Sequence, residues 1–376
     1  MELFKAHNQW KTRPADERFS NLIEMHMMVL AYRDAAADAS VPYSQVRVEA
    51  QGDDIALVGK TGVPARLTHW SMGQLSSRAG APASYLRELP TTLAAQNLNY
   101  GLKERGEYRD DTANLLFHKN GSLVLRSCTS DKYSRIWNSD VTGRLCKLQE
   151  ANPNWQNPKA FKIIEPGKDG GWPAKLGGLE PSGLYASDHD MFAFLVDESK
   201  TLAGSPQGLN RGFFVWNSEV GASSFGVMTF LYDRVCGNNI VWGASNVSEI
   251  RIRHVGNADY RAFNQLSVEL KRYANSSASE TEAQITKARN FILGKTKDEC
   301  LDALMLHINK GKLTDLNRGK ITDALLLAER REDRYGNPRS LWAAIGGLTE
   351  NSQALPHADA RLKIDRAAGK LLKIAF

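Results

Sequence analysis

The spacing of apolar positions changes along the chain, and each change marks a predicted element. Residues 16–38 carry Leu22, Met25, Met28 and Leu30 at helical spacing, which predicts an amphipathic helix. After Pro42 alternation takes over. In QVRVEA, Val46 and Val48 alternate with Arg47 and Glu49, and DIALVG and VPARLTHW follow across short Gly-bearing turns, the pattern of a three-strand meander. Ser71 is placed to cap a helix (SMGQLSSRAG), and Pro82 sits in the first turn of the next (PASYLREL). A third helix follows Pro90 through LAAQNLNYGLKER. NLLFHK and SLVLRSC then read as strands joined by Asn120-Gly121, a type I′ hairpin signal. Asn138 or Ser139 can cap a helix running to about Glu150.

Residues 151–182 hold five prolines among many glycines, which predicts a long loop. Strand patterns return with GLYAS, MFAFLVD, GFFVWN, SFGVMTFLYD, NIVWG and EIRIRHV. From Asn257 onward the pattern is helix after helix, interrupted at ANSSAS, KGKLTD and RYGNP. The expected class is α+β, a mixed antiparallel sheet with packed helices followed by an all-helical C-terminal region. Three parts are expected: a helical arm over 1–40, an α+β core over 41–256 and a helical region over 257–376.

A length of 376 residues fits about two domains of roughly 150 residues each. No apolar run approaches the ~20 residues needed to span a bilayer, and the polar start MELFKAHNQWKTRPADERF lacks the apolar stretch of a secretion signal. A cytoplasmic protein of a bacterial host cell, with no membrane partner, is expected. Cys128, Cys146, Cys236 and Cys300 are too scattered for a zinc module or a disulfide framework. The formal net charge of +6 is compatible with a polyanionic partner such as nucleic acid.

Signals of catalysis are sparse. Asp188-His189-Asp190 invites a metal or acid–base reading, yet no second segment offers ligands, and an exposed turn explains it as well. His254 is an isolated histidine at a strand end. Lys132 and Tyr133 have no evident substrate. GGWPAKLGG has its proline where a phosphate loop needs a helix start. No cofactor or metal is expected, and whether the chain is an enzyme stays open, with the balance against it.

Three stretches resemble the DUF932 (phage/plasmid-like) family. They are LTHWSMGQLSSRAGAPASYLRELPTTLAAQNLNYGL, then SDKYSRIWNSDV with RGFFVWNSEVGASSFGVMTFLYDRVCGNNIVWG, and the ending YGNPRSLWAAIGGLTENSQALPHADARLKIDRAAGKLL. Together they span roughly residues 40–373, and NSEVGASS…CGNN is the most specific. The resemblance implies a phage or plasmid home and supplies no reaction.

Within the central stretch, Phe213, Val215 and Asn217 fall on one strand face and Phe214, Trp216 and Ser218 on the other. Two readings of its turns stand side by side. They are structural turns rich in Asn and Gly, or a polar lip in which Asn217, Ser218, Glu219, Asn238 and Asn239 meet a ligand at one end of a hairpin. In EIRIRHV, Ile250 and Ile252 point to a core while Arg251 and Arg253 point to solvent. Those arginines are about 7 Å apart, near the spacing of successive phosphates. A charged edge that discourages aggregation is the alternative. Further candidate phosphate contacts are Arg211, Arg234 and the tail residues Arg361, Lys363, Arg366 and Lys370. Trp216, Trp242 and Tyr232 can stack bases or fill a core.

The function expected is therefore a non-catalytic nucleic-acid-binding protein, handling single-stranded DNA in annealing, recombination or replication as a homo-oligomer. Alternatives are a factor that binds a host protein, such as a defence component, and an enzyme with a dispersed site around Asn217, Glu219 and Asn238.

Overall fold

The computed structural model describes residues 17–59, 62–105, 111–157, 159–163, 176–181, 183–202, 208–233, 238–240, 250–352 and 358–375. Helix α1 (Leu22–Asp34) starts where the Asn21 side chain accepts the Glu24 N–H at 2.8 Å, and it ends at Ala35. It is shorter than 16–38 because the chain passes at once into strand β1 (Ala36–Pro42), which pairs with β5 (Thr112–Asn120). The boundary expected at residue 40 thus falls inside a strand. Leu22, Met25 and Val29 lie in the main core, so the described part of this segment belongs to the body of the protein.

The expected meander is present as β2 (Val48–Gln51), β3 (Asp54–Val58) and β4 (Pro64–Leu67). Strand β6 (Ser122–Ser130) pairs parallel to β4 and antiparallel to β5, completing a six-stranded sheet in the order β1-β5-β6-β4-β3-β2. The β5–β6 hairpin turns at Gly121, whose φ of 69° a glycine adopts without a Cβ clash. Helices α2 (His69–Arg78), α3 (Ala83–Glu88) and α4 (Thr91–Tyr100) bring Leu75, Leu86 and Leu98 onto Val48, Leu57 and Leu125. The cap of α2 is Thr68, not Ser71. The Thr68 hydroxyl accepts the Ser71 N–H at 3.1 Å and the Ser71 hydroxyl accepts the Thr68 N–H at 2.9 Å, a reciprocal capping box.

Helix α5 (Asn138–Ala151) leads into the segment expected to be a loop. That expectation is corrected. Strand β7 (Trp155–Gln156) joins the second sheet, and β8 (Lys159–Ile163) pairs with β9 (Leu176–Pro181). Trp155 is fully buried against Phe213, with ring centroids 5.1 Å apart, so a single aromatic anchors a stretch whose composition reads as loop.

The second sheet has the order β10-β11-β12-β13-β14, from β10 (Leu184–Ala186), β11 (Met191–Thr201), β12 (Leu209–Asn217), β13 (Phe225–Asp233) and β14 (Asn238–Ile240). Beside it, β7 pairs with β11 and β15 (Ile250–Ile252) with β13. Every residue of β12 is buried, as expected of a strand between layers. On one face Phe213 and Val215 meet α1, α5 and the first C-terminal helix. On the other, Phe192, Phe194, Phe214, Trp216, Phe230 and Tyr232 form an aromatic cluster. Two glycines make that cluster possible, since Gly212 pairs with Phe230 and Gly226 with Trp216. In each pair the ring lies where a Cβ would stand.

From Ala258 on, every described element is helical. These are α6 (Ala258–Asn275), α7 (Ser279–Asn290), α8 (Lys297–Lys310), α9 (Arg318–Arg330), α10 (Glu332–Tyr335), α11 (Leu341–Ser352) and α12 (Ala358–Leu371), closed by a 3-10 turn at Leu372–Ala375. Helix α6 packs Ala262, Leu266 and Leu270 onto the second sheet, and α7, α8, α9, α11 and α12 build a second core that takes in Leu209 and Leu231 of the same sheet. The class is α+β with an all-helical C-terminal region. Among the described residues no helix is long and apolar enough to cross a membrane.

Candidate functional site

The turn after β12 is held by many hydrogen bonds, and they run inward. Asn217, Ser218 and Glu219 are all buried. The Asn217 amide donates to the Ile136 carbonyl at 2.7 Å and to the Asn138 side-chain oxygen at 2.8 Å. The Ser218 hydroxyl donates to the His189 carbonyl at 2.6 Å and accepts the Ala222 N–H at 2.9 Å, while its carbonyl accepts the Tyr133 hydroxyl at 2.9 Å. The Val220 carbonyl accepts from Trp70 Nε1 at 3.0 Å and Gln74 Nε2 at 2.7 Å, both on α2. A four-residue turn of the second sheet is thereby fastened to the first sheet and its covering helix.

Glu219 is the centre of this junction. One carboxylate oxygen accepts the Asn138 N–H at 2.9 Å, and the other lies 3.0 Å from Arg126 Nη1. The Glu219 backbone carbonyl accepts a close hydrogen bond from Arg135. Arg126 in turn donates from Nε and Nη2 to the Asp188 carbonyl, at 3.0 and 2.6 Å. Helix α5 has Trp137 at its cap position with no side-chain acceptor of its own, so the Glu219 carboxylate supplies the missing acceptor and a negative charge at the positive end of the helix. Desolvation lowers the Arg135 pKa from its ordinary value, opposed in part by Tyr133, Asp38 and Glu219.

These bonds match the structural reading of the turn and leave its polar atoms turned away from solvent. The composite lip is also corrected by topology. Asn217 lies at the Phe225 end of β13, whereas Asn238 and Asn239 pair with Asp233 and Tyr232 at its other end. The two clusters are about 26 Å apart along a nine-residue strand. A dispersed enzyme site of Asn217, Glu219 and Asn238 is not assembled.

The other chemical candidates are local as well. Ser187 Oγ donates to Asp190 Oδ1 at 2.7 Å and lies 3.1 Å from His189 Nδ1, and His189 Nδ1 is 2.6 Å from Asp188 Oδ1. Four consecutive residues thus bond among themselves in one bend, with Asp190 buried and Asp188 exposed. His254 is buried, stacks on Tyr133 at 5.1 Å between centroids, and has Nδ1 3.2 Å from the Ser134 carbonyl. Burial pushes its pKa down to about 4. Trp216 and Tyr232 are core residues, and Trp242 lies outside the described residues.

The basic candidates separate into three kinds. Arg211 is buried, stacked over Tyr273 at 5.0 Å, and donates to Ser276 Oγ and O at 3.0 and 3.1 Å, so it belongs to packing and not to an exposed row. Arg234 and the side chain of Arg361 lie outside the described residues. On α12, Lys363 and Lys370 are exposed and Arg366 is half-buried, with Ile364 and Leu371 packed beneath them. On β15, Ile250 and Ile252 are buried while Arg251 and Arg253 are exposed, the alternation read from the sequence.

Strand β15 lies at one end of β13 (Gly226 pairs with Arg251), and α12 contacts β14 at the other. The two basic rows are therefore separate surfaces. Two further cations lie beside β15. Arg261, exposed on α6, donates to the Val255 carbonyl at 2.6 Å, and Lys132 is exposed beside the Tyr133–Val255 bridge.

Residues 186–363 match the family described as Domain of unknown function (DUF932). The match starts in β10 and ends in α12, so the resemblance read over residues 67–102 and 130–141 lies outside it. No curated protein and no solved structure matches the chain. By the match from Ala186 to Lys363, this part of the chain is similar to the DUF932 family.

Proposed function

We propose that this chain is a non-catalytic nucleic-acid-binding protein of a phage or plasmid, handling single-stranded DNA in annealing during recombination or replication, with β15 as its contact edge. The observation that carries the reading is the exposure of Arg251 and Arg253 on a strand whose intervening isoleucines are buried. A strand fixed by its own core holds its outward cations at a constant spacing, about 7 Å, which suits consecutive phosphates. Arg261 and Lys132 enlarge the positive field around them. The exposed Lys363 and Lys370 offer a second row at the far end of the sheet, useful to a strand that runs across the protein or between copies of a homo-oligomer.

The test is fluorescence anisotropy of labelled single- and double-stranded oligonucleotides over a salt series. Phosphate contact requires affinity to fall linearly in a plot of log K against log salt. Absence of binding at the lowest salt removes the proposal.

A second reading is favoured by one observation. Ile23, Met27 and Met28 of α1 are 65%, 59% and 39% exposed, a row of large apolar side chains at helical spacing. This suits a protein partner, such as a host factor, and its test is loss of that partner from Met27→Glu protein.

A further inference from the structure

An open cleft of about 600 Å³ lies where β15 runs out, lined by Asp131, Lys132, Tyr133, Ser134, Val255 and Gly256. Its walls come from segments more than a hundred residues apart and are fixed by backbone pairing. Tyr133 and Val255 form a bridge, and the Ser134 N–H donates to the His254 carbonyl at 2.9 Å. The chain turns at His254, where the Val255 N–H donates to the Arg253 carbonyl at 2.8 Å, so Arg251, Arg253 and the cleft follow one another along the edge. We propose that this cleft receives one unstacked nucleobase of a single strand whose phosphates lie on Arg251, Arg253 and Arg261. The inference rests on the nucleic-acid reading above and adds to it the place of a base.

Charge decides which part of a nucleotide enters. Inside the cleft the Asp131 carboxylate offsets the Lys132 ammonium, whereas the exposed arginines stand outside it on the strand and on α6, where a phosphate is better matched. A base carries no net charge. Its ring can lie on Val255, which is 48% exposed, and its edge finds an acceptor in Asp131 and donors in Lys132 and Ser134. Gly256 has φ of 60°, and a Cβ there would meet nothing within 4 Å, so the outer wall is open. The volume lies in the range of small-molecule sites, about 300–1,000 Å³. Bases held in a duplex are stacked and paired, and they reach such a cleft only after unpairing.

The experiment compares the full chain binding three probes of equal length: a single strand, the same strand made abasic, and its duplex. Removing the exposed part of Val255 and one base face from water contributes about 1 kcal/mol, equivalent to a preference of roughly 5-fold for the intact single strand. Val255→Gln, which fills the cleft without altering charge, is expected to bring the single strand down to the abasic value. Ser134→Val serves the same purpose should the first variant not fold by circular dichroism. Equal binding of all three probes, or a single-strand preference untouched by both variants, overturns the cleft and leaves the phosphate edge standing. Failure of every probe to bind at low salt overturns both.

Discussion

The carboxylate of Glu219 accepts the backbone N–H of Asn138, 81 positions earlier in the chain, and so caps a helix that lacks a side-chain cap of its own. The same carboxylate is paired with Arg126 inside the protein, where both side chains are 2% exposed. Removing one member of a buried pair strands the other charge, at a cost of about 3–5 kcal/mol. Glu219→Ala is therefore expected to be destabilised by that amount in urea unfolding, as is Arg126→Ala. The double variant Glu219→Leu with Arg126→Met should recover much of the loss. An additive double variant, losing as much as the two singles together, contradicts the pairing.

His254 makes the fold sensitive to acid. Its folded pKa of about 4 lies below the unfolded value of 6.5, because burial disfavours the imidazolium. The unfolded chain thus takes up the proton first as pH falls. Its contribution to stability is fully present above about pH 6.5, declines between 6.5 and 4, and amounts to a loss on the order of 3 kcal/mol below that. His254→Gln is expected to flatten this part of a stability–pH curve. An unchanged curve would show that His254 titrates normally.

The aromatic face of the second sheet depends on glycine. At Gly226 a Cβ would fall within the Trp216 indole, so Gly226→Ala forces the ring aside, with an expected loss of about 1–3 kcal/mol in thermal or urea unfolding. Gly59→Ala is the control, since nothing lies within 4 Å of a Cβ there, and it should stay within about 0.5 kcal/mol. Equal behaviour of the two variants contradicts the packing described.

The sequence showed the sheet elements well where period two was clean. β2, β3, β5, β6, β12 and β13 all lie where alternation or apolar runs put them. It failed where long-range pairing overrode local composition. β1 is built from Ala36, Ala37 and Ala39, which read as helix, and it is a strand because β5 offers it a ladder. β7 sits in a Pro-rich stretch and is held by the burial of Trp155.

The site divided in the same way. Arg251 and Arg253 were legible because one strand's alternation fixes which side chains face solvent. The fate of Glu219 was not, because its partners Asn138 and Arg126 come from other elements and only the fold brings them near. Arg126 did carry a faint signal, a lone cation within the apolar run of SLVLRSC. Arg261 carried none, being one of many exposed basic residues on helices.

The central claim is that the β15 edge contacts phosphates, and the most direct measurement is the salt dependence of DNA affinity for Arg251→Glu with Arg253→Glu against the unaltered chain. Both side chains are exposed, so the variant should fold with unchanged stability. The expected result is weaker single-strand binding at every salt concentration, with the log–log slope reduced in magnitude by about 1.4, roughly 0.7 for each arginine taken away from a phosphate of a single strand. Binding of the same strength and the same slope in the variant would contradict the claim.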